Sequence, residues 1–190
     1  MCSMCPRKSR GVTLVELIVF IVIVGVAMAG LFAAFNTITA ASADPQVRKQ
    51  VLAIAESLMD EIALMPFTFC DPDDPAAATA LGIGDCATVE GIGTEGAETR
   101  YSATTRFDNV SDYHGFAMGP GIQDFGNTTI AGLGAYTVTN ITITQAGLSD
   151  GVDAIAAAEA LRISITVTGP GGVATTLEGY RTRYAPNTLP

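Results

Sequence analysis

The feature that most constrains this chain is a long apolar run close to its N-terminus. Residues 17–35 form 19 consecutive apolar positions, and no charged residue occurs between positions 17 and 43. As a helix, the 19-residue run is about 28 Å long, which matches the hydrocarbon core of a bilayer. The sequence therefore predicts a membrane-spanning helix within residues 12–43.

Three charged residues precede this run, and all of them are basic: Arg7, Lys8 and Arg10. By the positive-inside rule they place the N-terminus in the cytoplasm and the chain beyond about residue 40 outside the inner membrane. Seven of the ten basic residues follow, against 19 acidic ones. Because this acidic remainder has no cluster of Lys or Arg, we expect no nucleic-acid partner.

A carboxylate stands at the start of the apolar run. A secretory signal peptide cut near Ala29 or Ala43, or a simple retained anchor, would explain the apolar residues but not Glu16. A charged side chain at full membrane depth costs on the order of 2.5–3.5 kcal/mol. We therefore expect Glu16 to have a partner or a function.

The sequence around this glutamate resembles the cleavage and methylation motif of type IV pilins and pseudopilins. Residues 11–17 read GVTLVEL and follow a short basic segment. The resemblance implies that residues 1–11 are a leader peptide, cut between Gly11 and Val12 by prepilin peptidase. It also implies that Val12 is then N-methylated and that Glu16 becomes the fifth residue of the mature chain.

The chemistry of these residues suits assembly. Cleavage creates a positive amine on Val12 in apolar surroundings, and Glu16 offers the opposite charge to its own amine or to that of a neighbouring subunit. Thr13 can hydrogen-bond to nearby backbone. We therefore expect Glu16 and Thr13 to act in assembly, with Glu16 setting the register between helices.

A second helical pattern follows over residues 44–66. Apolar residues recur there at spacings of three and four, which predicts an amphipathic helix that ends at Pro66. The recurring positions are Val47, Val51, Ile54, Leu58, Ile62 and Met65. In the family that the motif resembles, this stripe packs under a C-terminal sheet.

Residues 67–190 are expected to form a β-rich head. Residues 67–96 are rich in Gly, Ala, Asp and Pro and read as a loop. Cys70 and Cys86 lie in this loop, and outside the inner membrane we expect them to form a disulfide that stabilises the head by about 3 kcal/mol.

Strand patterns follow the loop. They predict an antiparallel sheet of about four strands, with a turn at residues 169–172 and a short helix or loop at residues 153–161. The predicted strands lie at residues 101–107, 136–145, 161–167 and 173–183. The expected fold class is α+β, a type IV pilin fold with one long N-terminal helix packed on this sheet.

A narrower resemblance covers residues 44–116. The segments DPQVR at 44–48, AESLMDEI at 55–62 and DNVSDYHGF at 108–116, with the paired cysteines between them, are similar to MshD-type minor pilins of mannose-sensitive haemagglutinin (MSHA) pili. This resemblance implies a minor subunit that helps to initiate or cap the filament.

Other motifs point to no chemistry. The GxGxxG of residues 91–96 has no predicted strand before it or helix after it, as a nucleotide-binding loop requires. Cys2 and Cys5 lack a second pair for zinc and lie in the leader. The aspartates at 71, 73 and 74, or at 108 and 112, do not have the spacing of an EF-hand, so no metal or other cofactor is expected.

The sequence therefore predicts a structural minor pilin of an MSHA-like type IV pilus, used in adhesion or motility, and not an enzyme. Its expected partners are prepilin peptidase, the assembly platform of the inner membrane, the major pilin and other minor pilins, with no small-molecule substrate. The expected location is the inner membrane and then the extracellular pilus. The alternatives are a pseudopilin of a type II secretion system and, more distantly, a membrane-anchored extracytoplasmic binding protein or enzyme.

Overall fold

The computed structural model describes residues 11–187, and for residues 37–44 it describes the backbone alone. The predicted leader, apart from Gly11, and the pair Cys2 and Cys5 lie outside the described residues. The chain divides into two compact units, Met1–Asp44 and Pro45–Pro190. A helix, α1 (Leu14–Leu64), contains the division between them, so each unit is described by itself.

In the first unit, α1 is apolar on all sides. Its segment Leu14–Asn36 has 23 residues and a mean hydropathy of 2.9, and none of it is buried. The large apolar side chains of this segment expose between 36% (Val24) and 77% (Leu14) of their surface. A helix that is apolar all round needs an apolar environment, and this one has the length to cross a membrane.

In the second unit, α1 is amphipathic and ends at Leu64, just before Pro66. The predicted stripe faces inwards: Val51, Ile54, Leu58 and Ile62 are buried, and Glu56 on the other side is exposed. Pro45 lies inside the helix rather than at its start.

The head contains a three-stranded antiparallel sheet. Its strands are β1 (Thr137–Gln145), β4 (Ala160–Thr168) and β5 (Ala174–Thr182), in the order β1-β4-β5. A separate two-stranded hairpin consists of β2 (Leu148–Ser149) and β3 (Ala154–Ile155). The α+β class is confirmed, with a helix and an antiparallel sheet of several strands.

Two local predictions need correction. Residues 101–107 form no strand, so the main sheet has three strands instead of about four. The hydroxyl of Ser102 accepts hydrogen bonds from the backbone N–H groups of Thr104 and Thr105, which holds a turn in place of a sheet ladder. Residues 153–161 contain the predicted short helix as a 3₁₀ turn (Ala157–Glu159), but they also contain β3, which was not predicted there, and the first two residues of β4.

The core of the head lies between the amphipathic part of α1 and the sheet. On β4 the apolar residues Leu161, Ile163, Ile165 and Val167 are buried, whereas Arg162 is exposed, which is the alternation that the sequence predicts. Side chains of β1 and the rings of Phe107 and Tyr113 complete this apolar cluster.

The loop after α1 is anchored at several points. Cys70 and Cys86 form a disulfide, and Cys70 also pairs with Val89 in an antiparallel bridge. Asn187 near the C-terminus donates to the carbonyls of Ala77 and Ala80. These contacts fasten a segment that has little regular secondary structure.

Candidate functional site

The N-terminal motif forms the start of α1. The hydroxyl of Thr13 accepts a hydrogen bond from the backbone N–H of Glu16 at 3.3 Å, and the carbonyl of Thr13 accepts from Leu17 N–H at 3.1 Å. Thr13 is therefore the N-cap, and Thr13 with Glu16 has the spacing of a capping box. Glu16 lies in the first turn, where a negative charge interacts favourably with the helix dipole.

The bond between Gly11 and Val12 lies before the helix. Residues 11–13 have no helical structure and are exposed, and among the described residues beyond its chain neighbour no atom lies within 4 Å of the place where a Cβ on Gly11 would stand. A peptide bond in exposed, non-helical backbone can fit into a peptidase site without unwinding a helix. The geometry is suited to cleavage at this position.

Glu16 is an isolated carboxylate in an apolar segment. It is exposed, and among the described residues no lysine or arginine forms an ion pair with it. It is also the single charged residue between positions 12 and 43. A charge on an otherwise apolar, membrane-length helix needs a partner of opposite sign, and this partner has to come from outside the described residues.

A family model described as the prokaryotic N-terminal methylation motif matches residues 6–32. The motif indicates a prepilin of the type IV pilin or pseudopilin kind. Such a prepilin is anchored in the membrane, is processed by prepilin peptidase and assembles with other pilins. A comparison with curated proteins and one with solved structures found no match.

The head is joined to α1 by a buried ion pair within the second unit. Arg100 donates from Nε and Nη2 to the two carboxylate oxygens of Glu61, at 2.7 and 2.8 Å, and Tyr113 donates its hydroxyl to the same carboxylate at 2.8 Å. Arg100 also lies over the ring of Phe125 and donates to the carbonyl of Gln123. Burial raises the pKa of Tyr113, so its hydroxyl remains a donor.

The lone histidine has a structural contact. His114 accepts a hydrogen bond through Nδ1 from the backbone N–H of Ile143 at 3.1 Å. This bond attaches the segment of residues 108–116 to β1, and it uses the nitrogen that a catalytic base would need.

Acidic residues of the head come together in two groups. Their carboxylate oxygens lie within 4.8 Å of one another in each group. The first group is Asp71, Asp73, Glu98 and Asp108, and the second is Glu90, Glu95 and Asp112. We call these seven residues the acidic cluster.

Four of the seven, together with Asp74, are aspartates whose spacing does not fit an EF-hand, so the sequence predicts no metal site there. Asp74 lies outside both groups, because its carboxylate accepts hydrogen bonds from the backbone N–H groups of Ala76 and Thr88. The three glutamates were not singled out. They lie in the irregular segment 90–98, which has no periodic pattern from which converging side chains can be predicted. The available signal was three glutamates within nine residues of a loop that also carries the aspartates at 71, 73 and 74.

Proposed function

We propose that this chain is a structural minor pilin of an MSHA-like type IV pilus and not an enzyme. Prepilin peptidase cuts it between Gly11 and Val12, Val12 is N-methylated, and the exposed helix enters the core of a filament. The observation that carries this proposal is the methylation motif at residues 6–32 on an apolar helix of membrane length with a single carboxylate at its start.

The physical chemistry of the helix supports a filament core. While the subunit is in the bilayer, lipid covers the apolar side chains of Leu14–Asn36. Outside the bilayer, each large apolar side chain left in water would cost about 1.5–3 kcal/mol. A subunit of this kind leaves the membrane only if helices of neighbouring subunits take the place of the lipid.

The charged groups near the N-terminus set the register between the helices of neighbouring subunits. After cleavage the amine of Val12 is positive, and the carboxylate of Glu16 lies four residues further along the chain, in the first turn of α1. Because both groups lose water in an apolar core, pairing them within or between subunits is strongly favoured over leaving either alone.

The minor-pilin assignment is supported by the segments at 44–48, 55–62 and 108–116 and by the Cys70–Cys86 disulfide between helix and sheet. In this proposal the helix lies in the filament, the head faces outwards, and the subunit initiates or caps the pilus. Before assembly it is a single-pass protein of the inner membrane with its N-terminus in the cytoplasm.

The experiment compares Glu16→Val with Glu56→Gln in cells that make the pilus. Both variants lose one negative charge from α1, but Glu56 is an exposed residue of the amphipathic part. We expect wild type and Glu56→Gln in filaments sheared from the cells. Glu16→Val should be processed but reduced in filaments by about tenfold or more, because it leaves the Val12 amine unpaired.

Two results would contradict this proposal. If the wild-type chain is processed but never found in sheared pili, and its deletion stops protein secretion instead, the chain is a pseudopilin of a secretion system. If Glu16→Val enters filaments as well as wild type does, the carboxylate does not guide assembly.

A further inference from the structure

The acidic cluster is assembled by two parts of the head. Backbone hydrogen bonds from Asp71 N–H to Thr88 O and from Glu90 N–H to Phe69 O hold the two ends of the disulfide loop side by side. A third, from Gly93 N–H to Ser111 O, attaches the segment after Glu90 to the 3₁₀ turn Ser111–Tyr113. Gly93 has a φ of 110°, a conformation that glycine adopts readily, and it lets the segment curl over that turn.

Asp112 is the residue of the cluster whose environment is most unusual. It is 1% exposed, and its Oδ2 accepts hydrogen bonds from the backbone N–H groups of Asp108 and Asn109, at 2.9 and 2.8 Å. Its other oxygen, Oδ1, is buried and has no hydrogen-bond donor among the described residues. A buried carboxylate oxygen without a partner is strongly unfavourable, so this atom calls for a positive group.

Two other carboxylates of the cluster repeat this feature. Glu90 accepts a hydrogen bond from the Ser111 hydroxyl through Oε1. Its Oε2 and the Oε2 of Glu98 are buried, and neither has a donor in the part of the chain that the structure describes. In their carboxylate forms the seven groups repel one another in a partly buried site, and a cation among them would offset this repulsion.

The protein offers little positive charge in compensation. In the described part of the chain, none of the seven residues forms a salt bridge. Arg183 is close enough to interact electrostatically with Glu90, but its guanidinium pairs with Glu159 at 3.2 Å and lies over the ring of Phe67.

The donor set identifies the kind of cation. All the converging atoms are carboxylate oxygens, without histidine or cysteine, so the site suits a hard cation. Two oxygens on opposite sides of Ca²⁺ are at most about 5 Å apart, since each bond is roughly 2.3–2.6 Å long. Mg²⁺ binds mostly through one or two carboxylates and keeps its waters, whereas Ca²⁺ accepts six to eight oxygens in irregular geometry.

We propose that the head binds Ca²⁺ through Glu90, Glu95 and Asp112, with Oδ1 of Asp112 as the buried ligand. The adjoining carboxylates of Asp71, Asp73, Glu98 and Asp108 strengthen the negative field around this ion. Binding fastens the segment 90–95 and the turn Ser111–Tyr113 to each other. The site stands on head residues alone, so it does not depend on processing of the N-terminus or on assembly into a filament.

The test uses the full chain in detergent, stripped of metal with EDTA and titrated calorimetrically with CaCl₂ or MgCl₂. We expect saturable Ca²⁺ binding with Kd in the range of about 10⁻⁵–10⁻³ M, and Mg²⁺ binding roughly tenfold weaker or more. Added Ca²⁺ should also raise the Tm of the head, because a ligand that binds only the folded state stabilises it.

Glu95→Gln and Asp112→Asn remove one charged ligand each and should weaken Ca²⁺ binding by roughly tenfold or more. Glu178→Gln is the matched control, because Glu178 is exposed on β5, outside the cluster, and it should bind as wild type does. Asp112 also accepts two backbone hydrogen bonds, so its variant can fail to fold. In that case Glu95→Gln decides the test, and comparison of its circular dichroism spectrum with that of wild type shows whether it is folded.

The proposal is overturned if wild type shows no saturable heat and no rise in Tm at about 10 mM Ca²⁺, roughly ten times the weakest affinity of extracellular calcium modules. It is equally overturned if folded Glu95→Gln binds Ca²⁺ as tightly as the Glu178→Gln control.

Discussion

At the scale of single residues, the pair Glu61 and Arg100 shows how the head is attached to its helix. The side chains are 12% and 6% exposed, and both guanidinium–carboxylate contacts are shorter than 3 Å. Removing one partner of such a pair leaves the other charge buried and unpaired, and this costs more than the intact pair contributes.

We therefore expect Arg100→Met to lower the free energy of unfolding of the head by about 3 kcal/mol or more. Urea denaturation of the detergent-solubilised chain, followed by tyrosine fluorescence, measures this change. Arg162→Met is the control, because Arg162 is exposed on β4, and it should change the stability by no more than about 0.5 kcal/mol. A cost for Arg100→Met as small as that of the control would show that the pair is not buried in solution.

This pair also marks a limit of prediction from sequence. Glu61 lies within the predicted amphipathic helix and Arg100 just before the predicted strand at residues 101–107, and 39 positions separate them. Nothing local distinguishes a buried arginine from an exposed one, since the difference arises only when the chain folds. Thr13 and Glu16 are the opposite case, because their capping interaction spans three residues and is visible as a local motif.

At the scale of elements, helix and sheet approach closely at two glycines. A Cβ on Gly169 would lie 2.8 Å from Val51 and 2.9 Å from Val47, and one on Gly179 would lie 2.8 Å from Met59. The valines are branched at Cβ and have few rotamers, whereas the methionine side chain can move.

Gly169→Ala should therefore lower the free energy of unfolding by about 1–3 kcal/mol through overpacking. Gly84→Ala is the control, because no atom lies within 4 Å of its added methyl group. The comparison is again by urea denaturation. Equal stability of the two variants would mean that the helix lies further from the turn after β4 than these distances of 2.8 and 2.9 Å indicate.

The disulfide loop gives a third prediction. Changing both Cys70 and Cys86 to serine frees a loop with 15 residues between the cysteines, and the chain-entropy model predicts a loss of about 3 kcal/mol. Denaturation of this double variant should match that of the reduced wild-type protein. A double variant as stable as the oxidised wild type would show that the backbone hydrogen bonds alone hold the loop.

The elements also differ in how well the sequence predicts them. The strand β4 was predicted because polar and apolar residues alternate along it. In the structure the apolar face of this strand is buried. Residues 101–107 have similar β-prone residues, but the hydroxyl of Ser102 holds a turn. A side-chain hydrogen bond to backbone competes with a strand over a few residues, and composition does not show which of the two forms.

At the scale of the whole molecule, the two units differ in whether their apolar side chains are exposed or buried. The helix segment Leu14–Asn36 buries none of its apolar residues, whereas the head encloses a continuous apolar core. The apolar helix segment Leu14–Asn36 was predictable from its uncharged run and its motif. The acidic cluster was not, because it forms only when the disulfide loop and the segment 108–116 are folded against each other.

The proposed pilin function depends above all on cleavage between Gly11 and Val12. It is tested most directly by the intact mass and N-terminal sequence of the membrane-extracted chain, from cells with and without prepilin peptidase. We expect a chain that begins at N-methylated Val12 when the peptidase is present and keeps residues 1–11 when it is absent. A chain that keeps residues 1–11 in both cells, or one cut near Ala29 or Ala43, would contradict it.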